Sequence, residues 1–281
     1  MRVTRDRKNG VITLDQTVYI KKLLSKFNMV KCKPVATPMA LGLELCKAVD
    51  LNFINDNDIP YQELIGGLMY LAVNTRPDIA YAVNKLSQFS TCYVNSHWLA
   101  AKRILQYLQG TINYGLVYIK AGNINVKAYV DASYASDLYD RRSHTGFVIQ
   151  LANLTFGWES IKQKSVALSS TEAEYLAMSN AVKEVCFIRN IFEELELNCD
   201  SISIYNDNQA AQHIVANELS LKCMKHIQVR HHFIRDIVDQ GIVIIQYQST
   251  DQLMADVMTK PLCKDKHENY VKLMNVYDVR A

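Results

Sequence analysis

The chain has 281 residues, enough for about two domains, and its 49% hydrophobic and 21% charged residues predict a folded globular protein and exclude a disordered one. Its most apolar run, residues 64–73, is shorter than the ~20 residues that a membrane-spanning helix needs. The basic N-terminus is not followed by the apolar segment of a secretory signal. We therefore expect an intracellular protein that does not span a membrane. Residues 1–122 hold 15 Lys and Arg against 8 Asp and Glu, a net charge of +7, while the remaining residues carry a net charge of −4. This asymmetry suggests a polyanionic partner such as nucleic acid, although ordinary solvated surface charge gives the same pattern.

The first predicted elements are a β-hairpin and a helix. Residues 1–14 alternate between polar and apolar around Asn9-Gly10, a dipeptide whose two positions both accept the positive φ of a tight hairpin turn. Apolar residues then recur at helical spacing between Ile20 and Phe27, and two X-Pro steps end that helix in an extended linker. Residues 40–60 are expected to form a loop.

The next part of the chain predicts three helices in a small bundle. The first carries an apolar stripe over residues 64–69. Thr75 is expected to cap the second, whose first turn holds Pro77. The third begins near Ser96 and ends at Gly110.

Beyond residue 122 the hydrophobic period changes from about 3.6 to 2. The predicted elements are strands at about 124–131, 147–151 and 154–158, a helix at 171–195, a strand at 201–205, a helix after 208, a helix at 226–239, a strand at 242–247 and a helix at 251–260. This order predicts an α+β or α/β fold, a mixed sheet flanked by helices and preceded by the hairpin and the helical bundle.

Acidic residues stand where such a fold places ligand sites. Asp131 ends the first strand of the mixed sheet and Asp207 follows a later one, and strand ends are where α/β folds bind ligands. Asp256, in the last predicted helix, fits a site or the surface equally well. Converging carboxylates repel one another unless protons or cations intervene, and their oxygens suit Mg²⁺ or Mn²⁺. Each acid taken alone also fits an ordinary cap or surface group.

Two glutamates near the start of the long helix are predicted to have different roles. Glu174 shares a helical face with apolar residues and is expected to point inward. Glu172 lies on another face, three residues after Ser169, as in a capping box, and is assigned a structural role.

Several motifs of the chain resemble the Pol polyprotein of copia-type LTR retrotransposons. They are KQKSVALSSTEAEYLA (162–177), NTRPDIAYAV (74–83), KHI (225–227) with HFIR (232–235), and QLMADVMTKPL (252–262). The resemblance covers nearly the whole chain. It implies that residues 1–122 are the end of a reverse transcriptase, with a primer-contacting hairpin and a thumb-like helical region, that residues 123–262 form a ribonuclease H-like domain, and that residues 263–281 are a C-terminal tail.

The resemblance also implies a site and an activity. In that family four carboxylates hold two metal ions, Mg²⁺ or Mn²⁺, and the matching catalytic and metal-binding residues are Asp131, Glu174, Asp207 and Asp256. The implied activity is hydrolysis of the RNA strand of RNA–DNA hybrids by a metal-dependent endonuclease. The implied partners are nucleic acid, in particular RNA–DNA hybrids, and other Pol or Gag chains of the element. The implied location is inside the cell, either in the cytoplasm within a virus-like particle or in the nucleus.

The sequence departs from the family pattern near its end. Residues 248–251, before the last predicted helix, contain no histidine, and Gln228 replaces an acidic residue after the KHI motif. His226 and His232 are six residues apart, which does not suit metal binding at i, i+4, so packed or surface imidazoles are expected.

Alternative functions follow from a further difference. The chain has no Tyr-x-Asp-Asp turn, so polymerase activity is not expected, and the chain is interpreted as a truncated or separately translated tail of the polyprotein. A catalytically silent nucleic-acid-binding remnant is the main alternative. A transposase or integrase is a second one, although the order and spacing of the acids fit it poorly.

Overall fold

The computed structural model describes residues 1–45, 59–120, 125–197, 199–216 and 228–280. Its strands, numbered in chain order, are β1 (Arg2–Asp6), β2 (Val11–Asp15), β3 (Tyr114–Ile119), β4 (Val126–Ser133), β5 (His144–Leu151), β6 (Leu154–Lys162), β7 (Ile202–Asn206), β8 (Val243–Tyr247) and β9 (Val276–Asp278). Its α-helices are α1 (Thr17–Lys26), α2 (Tyr61–Asn74), α3 (Ala80–Ser87), α4 (Asn95–Gly110), α5 (Ser170–Glu194), α6 (Gln209–Ala216), α7 (Gln228–Asp239) and α8 (Lys264–Leu273). Over these described ranges, no helix is both long and apolar enough to cross a membrane.

The chain folds as two compact units. The first comprises Met1–Lys120 and Lys260–Ala281, and the second comprises Ala121–Thr259. The end of the chain, expected as a separate tail from residue 263, instead belongs to the first unit. The reason is that β9 pairs with β3 and that α8 buries Tyr270 and Val271.

The predicted N-terminal hairpin is present, but its turn differs from the expected one. Strands β1 and β2 pair from Arg2–Asp15 to Asp6–Val11, which leaves a four-residue loop rather than a two-residue turn. Only Gly10 in this loop has a positive φ, of 66°. The Asp6 carboxylate accepts the backbone N–H groups of Lys8 and Asn9, at 3.0 and 3.1 Å, and so closes the loop with a side chain.

Helices α1 to α4 of the first unit form where the apolar stripes predict them, with one correction, whereas α8 was not predicted. Thr75 does not cap the second helix, because its hydroxyl donates to the buried Gln16 side chain at 2.7 Å. A 3-10 turn, Pro77–Ile79, leads into α3 instead. The predicted loop at residues 40–60 lies mostly outside the described residues, and residues 40–45 contain no helix or strand.

A buried ion pair links several elements of the first unit. Arg76 and Asp78 are almost fully buried and form a bidentate pair, with nitrogen–oxygen distances of 2.7 and 2.9 Å. Arg76 also donates to the carbonyl and hydroxyl oxygens of Thr111, Tyr107 donates to Asp78 at 2.7 Å, and the ring of His267 in α8 lies 3.3 Å from the Asp78 carbonyl. Burial disfavours the charged carboxyl, but Arg76 and these hydrogen bonds outweigh burial and hold the pKa of Asp78 below its usual range.

The second unit confirms the predicted mixed sheet flanked by helices. Its strand order is β6-β5-β4-β7-β8. Strand β4 is antiparallel to β5 and parallel to β7, and β7 is parallel to β8. The long helix α5 packs against this sheet through a continuous apolar face from Ala173 to Phe192. The sheet therefore brings the ends of β4 and β7 side by side.

The last predicted helix of this unit is shorter than expected. Residues 251–260 do not form an α-helix but contain a 3-10 helix, Met254–Met258. That helix lies directly over Gly146 of β5, where an added Cβ would be 2.4 Å from the Cβ of Met258. Since Gly146 pairs with Asp131 in the sheet, the glycine permits the 3-10 helix to approach the strand that carries Asp131.

Replacing Asp78 by Asn is expected to destabilise the first unit by about 3–5 kcal/mol, because the variant leaves the buried Arg76 without its counter-charge. Urea unfolding followed by Trp98 fluorescence, in a Trp158→Phe background, measures this loss. The matched control is Glu63→Gln, which breaks an exposed ion pair with Lys26 in the same unit and should change the stability by less than about 1 kcal/mol. Equal effects of the two substitutions would contradict this role of the pair.

Candidate functional site

Three carboxylates come together at one edge of the mixed sheet. Asp131 in β4 and Glu174 near the start of α5 are buried, at 2% and 6% exposure, and Asp207 directly after β7 is half-buried. One carboxylate oxygen of each lies within 4.8 Å of the others. Among the described residues, these acids form a group that could hold a metal ion.

The sheet register brings two of these acids together. Tyr129 and Tyr205 lie opposite each other in the parallel β4–β7 pair and stack with ring centroids 5.2 Å apart. Two residues further along each strand are Asp131 and Asp207, so the same register places both carboxylates at the carboxyl ends of neighbouring strands. This is the arrangement that strand-end reasoning predicts.

Burial and like charge act together on Glu174. Burial disfavours its charged form, and the carboxylates of Asp131 and Asp207 add repulsion, so the pKa of Glu174 is raised well above its ordinary value. A hydrogen bond from the Asn206 amide opposes this shift. Without a counter-ion, proton binding at Glu174 is therefore favoured, and a bound cation would compete with that proton.

Hydroxyl groups hold the other two carboxylates. Thr259, directly after the 3-10 helix Met254–Met258, donates its hydroxyl to Asp131. Thr250 donates to Asp207 at 2.5 Å. Neither threonine is marked by a local sequence pattern. Their partners are 128 and 43 residues away, and only chain folding brings them into contact.

A buried side-chain amide, which was not predicted from the sequence, also contacts the site. The side chain of Asn206 is fully buried and donates to Glu174 at 2.8 Å and to the Val130 carbonyl at 3.1 Å. The signals available in the sequence were its position directly before Asp207 and its alternation with the apolar residues Ile202 and Ile204 of β7. That alternation turns Asn206 toward the interior of the unit.

Glu172 has the structural contacts that the capping pattern predicts. Ser169 is the N-cap of α5 and accepts the Glu172 backbone N–H at 3.1 Å. The Glu172 carboxylate accepts the Leu168 N–H at 2.9 Å, one residue before the position that an ideal capping box would use. Glu172 is not part of the group of three acids that the described residues form.

The structure brings three of the four predicted site residues together. Asp256 is fully buried in the 3-10 helix Met254–Met258 and is not in that group among the described residues, so its role as a ligand stays a prediction. His232 is exposed on α7. His226 lies outside the described residues, and the side chain of Gln228 is not described.

The donor set fits a hard divalent cation. Carboxylate oxygens are the ligands that Mg²⁺ and Mn²⁺ prefer, and three carboxylates at close range repel one another unless such an ion compensates their charge. The residues that could hold the ion are Asp131, Glu174 and Asp207.

Comparison with known proteins relates the chain to transposon polyproteins. No protein-family model matches the sequence. It is 36% identical over 281 residues, 99% of this chain, to the retrovirus-related Pol polyprotein from transposon TNT 1-94 of Nicotiana tabacum, of which it covers 21%. It is 39% identical over 264 residues, 94% of this chain, to that from transposon RE1 of Arabidopsis thaliana, of which it covers 18%. The chain thus spans about a fifth of these relatives. A crystal structure of LC11-RNase H1 in complex with an RNA/DNA hybrid is similar over 48% of this chain and 94% of that chain, with 14% identity and a TM-score of 0.36.

Removing the charge of Glu174 is expected to make the stability of the metal-free protein less sensitive to pH. Because the pKa of Glu174 is raised, the folded state binds a proton above pH ~4.3 that the unfolded state has lost, so stability falls as the pH rises through that window. Glu174→Gln should lose less stability than the wild type between pH 5 and pH 8. Melting temperatures measured by calorimetry in EDTA check this.

Glu172→Gln is the matched control, since it removes a carboxylate from the same helical turn but outside the group of three. It should keep the pH dependence of the wild type. A Glu174→Gln variant with the full wild-type pH dependence would show that the acids do not interact as described.

Proposed function

Because this chain belongs to the family of retrovirus-related Pol polyproteins of copia-type transposons, we propose that it acts as the ribonuclease H part of such a polyprotein. The proposed reaction is hydrolysis of the RNA strand of RNA–DNA hybrids with divalent metal ions. The observation that carries the proposal is the convergence of Asp131, Glu174 and Asp207 at the edge of the mixed sheet. The four acids that the family resemblance selects include all three.

The proposed mechanism assigns a role to each of these side chains. Asp131, Glu174 and Asp207 would hold the metal, with Asp256 as a fourth ligand implied by the resemblance. Divalent ions in such sites lower the pKa of water and neutralise the developing charge of a phosphodiester. The hydroxyls of Thr259 and Thr250 restrict the rotation of their carboxylate partners, which keeps the ligands preorganised. Burial of Asp131 and Glu174 excludes water from one side of the site and strengthens the electrostatic interactions within it.

The proposed nucleic-acid partner has support from the charge of the chain. Residues 1–122 carry a net charge of +7, which attracts phosphates irrespective of base sequence. The remaining residues carry −4 and include the three acids, so they repel phosphates until cations bind. We therefore assign the main phosphate contacts to the first unit and the chemistry to the second.

Substitutions in the carboxylate site are expected to abolish hydrolysis. Asp131→Asn and Glu174→Gln each remove a charged metal ligand and should lower kcat by about two orders of magnitude or more. Glu172→Gln is the control and should stay active. Cleavage of an end-labelled RNA–DNA hybrid in Mg²⁺ by purified full-length chain measures these rates.

The same assay separates the alternatives. The wild type should leave single-stranded RNA and duplex DNA intact. A folded wild type that binds hybrid without cutting it would be a catalytically silent remnant. Joining of duplex DNA ends would indicate a transposase or integrase. An inactive Glu172→Gln beside a fully active Glu174→Gln would reverse the assignment of the two glutamates.

Binding of the hybrid is expected to depend steeply on salt. If about four phosphates are neutralised, the logarithm of the binding constant should fall with the logarithm of the salt concentration at a slope of about −3 to −4. Fluorescence anisotropy of a labelled hybrid with the full chain, at 50 to 200 mM salt in EDTA, gives the slope. A slope near zero would contradict electrostatic binding by the basic region.

A further inference from the structure

We propose that Asn206 is a positioning residue of the carboxylate site, and that its buried amide holds Glu174 in place against Asp131 and Asp207. The inference rests on the proposed function, because it concerns the arrangement of the acids that would bind metal. Asn206 is neither acidic nor part of the motifs that carry the family resemblance. Its role follows from the bonds that its side chain makes.

The side-chain amide of Asn206 connects the elements that carry the acids. One Nδ2 hydrogen is donated to Oε2 of Glu174 at 2.8 Å, and the nitrogen also lies 3.1 Å from the carbonyl oxygen of Val130, the residue before Asp131. The Oδ1 atom accepts the backbone N–H of Asn208 at 2.9 Å. Both donor hydrogens and the acceptor of one amide are thereby used, on strand β4, helix α5 and the turn after β7.

The backbone of Asn206 is fixed independently of its side chain. Its carbonyl accepts the Gln212 side-chain amide at 2.9 Å and the Gln248 N–H at 3.1 Å. Asn206 is also paired with Tyr247 at the end of β8. The side chain of Asn206 therefore extends from a backbone position that other hydrogen bonds hold. Asp207, the next residue, follows directly from this held backbone.

An amide is the side chain that meets these requirements without adding charge. The β4–β7 register ends with the pair Tyr129–Tyr205, and the next carbonyl along β4, that of Val130, receives the amide of Asn206. Asp at position 206 has the same shape but would add a fourth carboxylate and lose the donor. Leu has a similar branched shape, with larger methyl groups, but makes none of these bonds. In either case Glu174 loses its side-chain donor and keeps only the backbone hydrogen bond at Ala132 among the hydrogen bonds that oppose its repulsion by the other acids.

Substitution of Asn206 tests the proposal through metal affinity as well as activity. Asn206→Leu should weaken Mn²⁺ binding about 10- to 100-fold, measured by titration of the full chain followed by electron paramagnetic resonance of free Mn²⁺. It should lower kcat for hybrid cleavage by a similar factor, with KM for the hybrid changed by less than about twofold. The matched control is Gln150→Leu, which removes another buried amide of the same sheet, bonded to Thr155 at 3.2 Å, and should keep the wild-type Mn²⁺ affinity.

A double variant separates positioning from a general loss of structure. If Asn206 acts through Glu174, adding Asn206→Leu to Glu174→Ala should change the Mn²⁺ affinity by less than about twofold, because the group being positioned is already absent. A further loss as large as that in the wild-type background would overturn the proposal.

A measurement on the unmodified chain keeps the proposal testable if the leucine variant does not fold. The two Nδ2 protons of Asn206, observed by nuclear magnetic resonance, should exchange slowly with water and shift on titration with Mg²⁺. Fast exchange, or signals unchanged at saturating Mg²⁺, would overturn it.

The outcomes distinguish this inference from the proposed function. If the wild type binds Mn²⁺ and cleaves the hybrid, and Asn206→Leu does both equally well, this inference alone is refuted. A wild type that neither binds Mn²⁺ nor cleaves would refute the proposed function with it.

Discussion

Mutual repulsion among three carboxylates is the constraint around which the second unit is organised. Asp131, Glu174 and Asp207 approach within 4.8 Å, two of them buried, so their charges oppose the folded arrangement unless a cation or a proton compensates. The surrounding structure resists this repulsion in two ways. The backbone of neighbouring parallel strands and of α5 fixes where each acid starts, and neutral donors hold each carboxylate group.

The donors differ in kind because the carboxylates differ in surroundings. The most enclosed pairing, at Glu174, uses an amide that also donates to a backbone carbonyl, so both donor hydrogens of Asn206 are used. The other two use threonine hydroxyls, one of which directly follows the 3-10 helix Met254–Met258. That helix can reach β4 because Gly146 leaves room for it. Gly146 of β5 thus allows Thr259 to come close enough to hold the carboxylate of Asp131 in β4.

In the first unit a buried ion pair, not a group of like charges, connects the elements. Its buried charges are of opposite sign, and the Arg76–Asp78 pair compensates its own desolvation through two direct bonds and further bonds to Tyr107 and Thr111. Through His267 the same cluster reaches helix α8 near the end of the chain. A segment that is far away in sequence therefore becomes part of the core of the unit.

The sequence by itself determined the features that depend on neighbours along the chain: most of the helices and strands, though not β3, α8 or β9, the inward face of Glu174 and the capping role of Glu172. These follow from periods of 3.6 and 2 and from short-range hydrogen bonds. Only the tertiary structure decided the partners of the acids, the 3-10 form of the last predicted helix and the place of residues 263–281. The amide of Asn206 meets a glutamate 32 residues away, and pairing over such a distance is set by strand register and packing, which no local pattern encodes.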